Sequence, residues 1–299
     1  MDIKEEIKKL KSEKNAVILV HNYQIPEVQE TADFLGDSLD LSRRAHKTNA
    51  DIIVFAGVRF MAETAKILSP EKKVLLTRKS ADCPMARMVT PSQLAYMRRK
   101  YLDAKVVSYV NTTAEMKAES YICCASANAV KVVGSVDAER IIFVPDRNLA
   151  NWVSRFTDKK IIPYNGFCYV HERFKKKDVL MVRKSYPDAA VIVHPECRRE
   201  VIDLADEVLS TNGMVGFAKR TDRKVIIVGT EEGLIARLKK ENPSKKFYSL
   251  GPPRMCWDMK KTRVEDVLHS LKDEVYEVTI QGDIMERAKV ALERMLSVS

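Results

Sequence analysis

Three cysteines, Cys83, Cys168 and Cys256, recur at intervals of 85 and 88 residues. Three side chains able to exchange protons or donate hydrogen bonds, His21, Tyr109 and His194, recur at 88 and 85. Soft thiolates brought together without a fourth protein partner suit an iron–sulfur cluster, or a zinc ion with an open coordination position. Three thiolates on a four-iron cubane leave one iron free to meet a substrate, whereas four would close it for electron transfer. No CxxC pair is present, which speaks against a zinc ribbon or a thioredoxin-like centre. The remaining cysteines have no such spacing: Cys123 and Cys124 are adjacent and suit packing or an adventitious redox role better than ligation, and Cys197 carries no assignment.

Ser38, Ser126 and Thr211 repeat the 88 and 85 offsets. Each precedes helix-forming sequence, where a hydroxyl can cap the helix and free N–H groups can hold an anion. Three such positions around one cavity would bind several anionic groups, such as carboxylates and a phosphate. His21, Tyr23, Tyr109, His194 and Glu196 offer the chemistry of general acid–base steps. Asn111 lies just past Tyr109, and His171 stands three residues past Cys168, where it could reach a substrate anion or cap a helix. His46 and His269 fall in charge-rich helical sequence and read as surface residues.

The elements that must position these residues also come in threes. Each unit starts with a β-branched run (17–20, 106–110, 191–193), passes through helix-patterned sequence to a second run (52–56, 141–144, 225–228), and closes on one cysteine. Strands alternating with helices predict parallel βαβ units. In such sheets the residues just past the carboxyl ends of strands line the ligand crevice, which is where the candidate residues fall. The expected fold is α/β: three homologous parallel-sheet domains, each a three-layer sandwich, around a pseudo-threefold axis with a central active site. The domains expected are 1–86 with 262–299, then 87–171, then 172–261. The final segment should supply a helix (265–271), a strand (275–280) and a helix (283–295) that pack back onto the first unit.

At 299 residues, with 45% hydrophobic and 31% charged residues, the chain has the profile of a globular protein able to bury a large core. Its longest apolar runs are too short to span a bilayer, and its charged start lacks the apolar stretch of a secretory signal. A cytoplasmic protein with reduced thiols is expected. The formal charge of +10 comes from scattered lysines that alternate with acids, so it does not point to nucleic acid; attraction of small anions is the other use of such charge.

The ordered motifs HNYQ, GDSLDLS, FMAETAKIL, DCPMA, YVNTTAEMKAES, CASANAV, GFCYVHERF, HPEC, STNGM and MCWDMK resemble those of the quinolinate synthase family over residues 15–270. The resemblance implies a transferase of NAD biosynthesis. It implies one [4Fe-4S] cluster held by Cys83, Cys168 and Cys256, with the open iron as Lewis acid. The implied reaction condenses iminoaspartate with dihydroxyacetone phosphate to quinolinate, releasing phosphate and two waters. By the same resemblance His21, Ser38, Asn111, Ser126, His194 and Thr211 hold the carboxylates and phosphate, Tyr23 and Glu196 move protons, and Tyr109 and His171 contact substrate. A transient aspartate-oxidising partner that delivers iminoaspartate is also implied. Gly251–Met255 contains no cysteine, so the extra thiols of many bacterial relatives, and a disulfide switch built on them, are absent at that place. The alternatives are another cluster-dependent hydro-lyase acting on a small carboxylic acid, an electron carrier with a closed cluster, and a zinc-stabilised nucleic-acid binder.

Overall fold

The computed structural model describes residues 2–298. Twelve strands form three separate four-stranded sheets, every pairing within them parallel. The first sheet contains β1 (Ala16–His21), β2 (Phe34–Gly36), β3 (Ile52–Ala56) and β4 (Lys73–Leu76). The second contains β5 (Lys105–Tyr109), β6 (Ile122–Cys124), β7 (Arg140–Val144) and β8 (Lys160–Pro163), and the third β9 (Ala190–Val193), β10 (Glu207–Val208), β11 (Val225–Gly229) and β12 (Lys246–Ser249). The order is the same in all three, β2-β1-β3-β4, β6-β5-β7-β8 and β10-β9-β11-β12. The central strands are covered on both faces, so they are apolar along their length rather than alternating; Ile52 to Ala56 is buried throughout. Burying each large aliphatic side chain of this kind contributes about 1.5–3 kcal/mol.

The edge strands β2, β6 and β10 fall outside the apolar runs read from the sequence. They are two or three residues long, too short to carry a period, and only their place in the repeat marks them.

The final segment departs from expectation in two ways. Helix Val264–Asp273 packs on the first unit, against helix Ile3–Glu13. Helix Gly282–Val298, however, lies chiefly on the second unit, against helix Ala114–Ala118 and β6, and touches the first through helix Arg59–Leu68. Residues 275–280 form no named strand; they make one antiparallel bridge, Glu277 with Leu75. An amphipathic helix announces a face to bury but not the surface that will receive it.

The units are joined by unlike seams. Leu19, Phe55 and Met61 of the first unit, Ile122 and Val133 of the second, and Ala288 and Leu292 of the last helix belong to one continuous apolar cluster. The third sheet keeps separate apolar clusters on its two faces. Its seam with the first unit is rich in hydrogen bonds. Asn22 Nδ2 donates to Thr211 Oγ1 at 2.8 Å, and Arg237 Nη1 donates to Asn22 Oδ1 at 2.6 Å and to the Leu35 carbonyl at 2.9 Å. Gln29 Nε2 donates to the Gly233 carbonyl at 3.0 Å, and Ser210 Oγ to Asp37 Oδ2 at 3.1 Å. A Cβ on Gly233 would stand 2.8 Å from the Tyr23 carbonyl, so the close approach of the two units at that point requires glycine.

Candidate functional site

The carboxyl ends of all three sheets open on one cavity. Every candidate site residue named from the sequence reaches its wall. From the first unit come His21, Tyr23, Ser38 and Cys83; from the second Tyr109, Asn111, Ser126 and Cys168. His171, His194, Glu196, Thr211 and Cys256 complete the set. No lysine or arginine lines the cavity among the described residues, so the net positive charge of the chain is not spent on its wall.

The strand ends set the histidines alike. His21 Nδ1 accepts from the Tyr23 backbone N–H at 3.2 Å, and His194 Nδ1 accepts from the Glu196 N–H at 3.3 Å. Burial lowers the pKa of both rings to about 3; the positive charge of Lys260 adds to this at His21, while Glu196 opposes it at both. Both rings are therefore neutral at pH 7, with Nδ1 occupied as an acceptor and the single proton on Nε2. Each is a donor that carries no charge.

The hydroxyls are freer than the sequence suggested. Asp37, not Ser38, caps helix Ser38–Lys47, accepting from the Asp40 N–H, and Ser210, not Thr211, caps helix Thr211–Arg220. Ser38 and Thr211 are instead the first residues of their ten-residue helices, where backbone N–H groups and the helix dipole favour an anion. Ser126 lies further out, because helix Ala129–Ser135 starts three residues later. Asn111 Oδ1 is buried without a hydrogen-bond partner, an acceptor in want of a donor.

At the acid–base end, Tyr109 Oη donates to Glu196 Oε1 at 2.6 Å, and Glu196 Oε2 lies 2.8 Å from His171 Nδ1. Burial pushes the Glu196 carboxyl up, but the His194 and His171 rings and the bonds from His171 and Tyr109 outweigh it and hold it down to about 2. Glu196 is thus a buried carboxylate at neutral pH. Burial, and then the Glu196 charge, raise Tyr23 and Tyr109 well above the ordinary phenol range, so both keep their protons.

Burial also raises Cys83, Cys168 and Cys256 above the ordinary thiol range; Cys83 is raised further by Cys256, and Cys168 by Glu196, Cys83 and Cys256. Such thiols ionise when a metal replaces the proton. Each cysteine N–H is held by a carboxylate: Cys83 by Asp82 Oδ1 at 2.9 Å, Cys168 by Asp146 Oδ2 at 3.1 Å, and Cys256 by Glu231 Oε1 at 3.0 Å. Asp146 and Glu231 occupy equivalent places two residues past β7 and β11, and the first unit has Val58 there. Lys260 Nζ pairs with Glu231 at 2.9 Å and donates to the Tyr23 carbonyl at 2.6 Å. Cys123, Cys124 and Cys197 are buried in the core and do not line the cavity. Cys168, His171 and Glu196 bring ligand atoms within 4.8 Å of one another and could hold a single ion, although His171 and Glu196 are already bonded to each other.

Sequence reasoning passed over Asp37, Asp146, Thr230 and Glu231. Thr230 and Glu231 close the third unit's second apolar run, and their counterparts in the other units are Gly57 and Val58, and Pro145 and Asp146. The signal is a difference between the copies rather than a repeat shared by them.

Three α/β units that end on one cavity walled by thiols, imidazoles and a buried carboxylate define a catalytic protein with a capacity for metal. The family described as Quinolinate synthetase A protein matches residues 5–297. The quinolinate synthase of Thermodesulfovibrio yellowstonii is 54% identical over 98% of this chain and 97% of its own length. That of Pyrococcus abyssi is 52% identical over the whole of both chains, and that of Methanoregula boonei 50% identical over 99% and 98%. The chain belongs to the quinolinate synthase family, and it is an enzyme. No helix among the described residues is long and apolar enough to cross a membrane.

Proposed function

We propose that this enzyme condenses iminoaspartate with dihydroxyacetone phosphate to quinolinate, releasing phosphate and two waters, in the cytoplasmic synthesis of NAD. We further propose that Cys83, Cys168 and Cys256 hold one [4Fe-4S] cluster. The observation that carries this reading is that three thiols, one from the equivalent end of each unit, line a single cavity that no fourth cysteine lines. The donor set fits the group: all three ligands are soft sulfurs, and their backbone N–H groups are fixed by carboxylates. When bound, the cluster supplies a Lewis-acidic iron.

The chain's own residues account for the rest. His21 and His194 present uncharged N–H donors, and Ser38, Ser126 and Thr211 present hydroxyls, to the carboxylates and phosphate. The helix starts at Ser38 and Thr211 provide the positive potential that the wall lacks in side chains. Asn111 Oδ1 receives a substrate N–H or O–H. Tyr109 and His171 contact substrate while keeping Glu196 ionised, and Tyr23 and Glu196 move protons in the isomerisation, cyclisation and dehydrations. Iminoaspartate is to be supplied by an aspartate-oxidising enzyme.

The test is anaerobic purification with iron and sulfide analysis, followed by addition of both substrates and chromatography for quinolinate. About four irons per chain with quinolinate formed is the expected result; a loaded cluster without product favours another hydro-lyase. Cys256→Ala should abolish loading. Glu196→Gln should load normally yet lower kcat by about 10²–10⁴, and iron loss in that variant would remove Glu196 from its assigned role.

A further inference from the structure

Tyr169 follows Cys168, does not line the cavity, and has no part in the reading above. The residues that follow the other two cysteines are Pro84 and Trp257. Two of these three equivalent positions meet: the Trp257 backbone N–H donates to Tyr169 Oη at 2.8 Å. Proline has no N–H to give, so the first unit cannot supply such a bond. The contact ties the segment that carries Cys168 to the one that carries Cys256. Residues 253–256 belong to no helix or strand, so contacts of this kind fix where Cys256 stands.

The Tyr169 hydroxyl has a proton of its own to place. Its oxygen already accepts from Trp257, and the side chain it bonds is that of Cys256. A free thiol can give or take a hydrogen bond, but a thiolate bound to metal has lost its proton and only accepts. With metal at Cys256 the contact therefore has one direction: Trp257 N–H to Tyr169 Oη, and Tyr169 Oη–H to Cys256 Sγ. Pro84 and Trp257 carry no hydroxyl, so the equivalent positions of the other two units offer no such donor. The clasp sits on the outer side of the thiols, since Tyr169 is not on the cavity wall and the Trp257 ring is 61% exposed.

We infer that Tyr169 is a positioning residue for the metal centre, which clasps the Cys168 and Cys256 segments together and donates a hydrogen bond to the Cys256 sulfur. The inference rests on the cluster proposed above and deepens it, by naming the group that makes one of the three sulfurs unlike the other two. A hydrogen bond to a ligand sulfur draws electron density from it and stabilises the electron-rich state of an iron–sulfur cluster, which raises the reduction potential. The phenol thus acts on the centre through Cys256, without touching the cavity or the substrate.

The test is a redox titration of the anaerobically loaded enzyme, followed by electron paramagnetic resonance, in the parent, Tyr169→Phe and Trp257→Ala. Tyr169→Phe keeps the ring and removes the hydroxyl, and its midpoint potential is expected below the parent's, with similar iron content. Trp257→Ala removes an exposed ring but keeps the backbone N–H, and its midpoint should match the parent's. A 3-fluorotyrosine introduced at position 169 keeps the shape and makes the hydroxyl a stronger donor, so the midpoint should rise. A purely structural role would not give shifts of opposite sign. If Tyr169→Phe loads poorly, the fluorinated enzyme against the parent makes the same comparison. An unchanged midpoint in Tyr169→Phe overturns the assignment, as does a fluorinated enzyme at or below the parent, or a shift in Trp257→Ala equal to that in Tyr169→Phe. A parent that binds no iron overturns the cluster and the inference with it. A loaded parent that makes no quinolinate overturns only the proposed reaction, because the midpoint is read without turnover.

Discussion

The seam between the first and second units and the seam between the first and third are built from different materials. The former is a continuous apolar core closed by helix Gly282–Val298, and the latter is a set of directional bonds centred on Asn22, Arg237 and Asp37. An apolar seam loses stability in proportion to every square ångström exposed. A polar seam exchanges its bonds for bonds to water at a net cost of about 0.5–1.5 kcal/mol each. The third unit is therefore held to the first by bonds that water can replace, and it is the unit that carries His194 and Glu196.

The largest effect that would sharpen this contrast is Leu292→Ala. Leu292 is fully buried in the shared core, and its truncation should cost about 2–5 kcal/mol, with hydrogen exchange rising in the first and second units together. A loss confined to the terminal helix would break the picture of a shared core.

Next in size is Arg237→Ala, which leaves Asn22 Oδ1 and the Leu35 carbonyl without this donor and should cost about 1–3 kcal/mol. Faster exchange is expected in the third unit only, with a raised KM; equal rises across all three sheets would count against a separable unit.

A third effect concerns acid. His21 and His194 have pKa values near 3 when buried and 6.5 when free, so the open or unfolded chain binds more protons than the closed one between those values. Their contribution to stability is complete above about pH 6.5 and is lost as pH falls toward 3. Glu196, at about 2 against 4.5, acts in the same direction below pH 4.5. Melting temperature should fall between pH 7 and pH 5, and His21→Asn should flatten that fall. An unchanged slope in the variant would show that His21 is hydrated in the closed protein.

The repeat made the sheets and the ring of cysteines legible, because equivalent residues at equal offsets must share a place in equivalent units. What it hid were the departures from symmetry. Asp146 and Glu231, which give two of the three cysteines a distant carboxylate, stand where the first unit has Val58, so no equal offset marks them. The helix caps were misplaced by one residue because Asp37 and Ser210 sit beside equally plausible hydroxyls, and sequence does not say which side chain turns back on its own helix. The docking of the last helix was hidden for a different reason, since its apolar stripe fits any apolar surface.

The scatter of the three cysteines through the chain also governs how the site comes into being. From Cys83 to Cys256 the ribosome must add 173 residues, which at ordinary rates of synthesis takes roughly 10–35 s. No nascent fragment that lacks the third unit can present all three thiols, and no local pair of them can trap iron early. Under the proposed ligand set, loading therefore waits until the third unit has been made, so that a bound cluster would report the assembly of all three units.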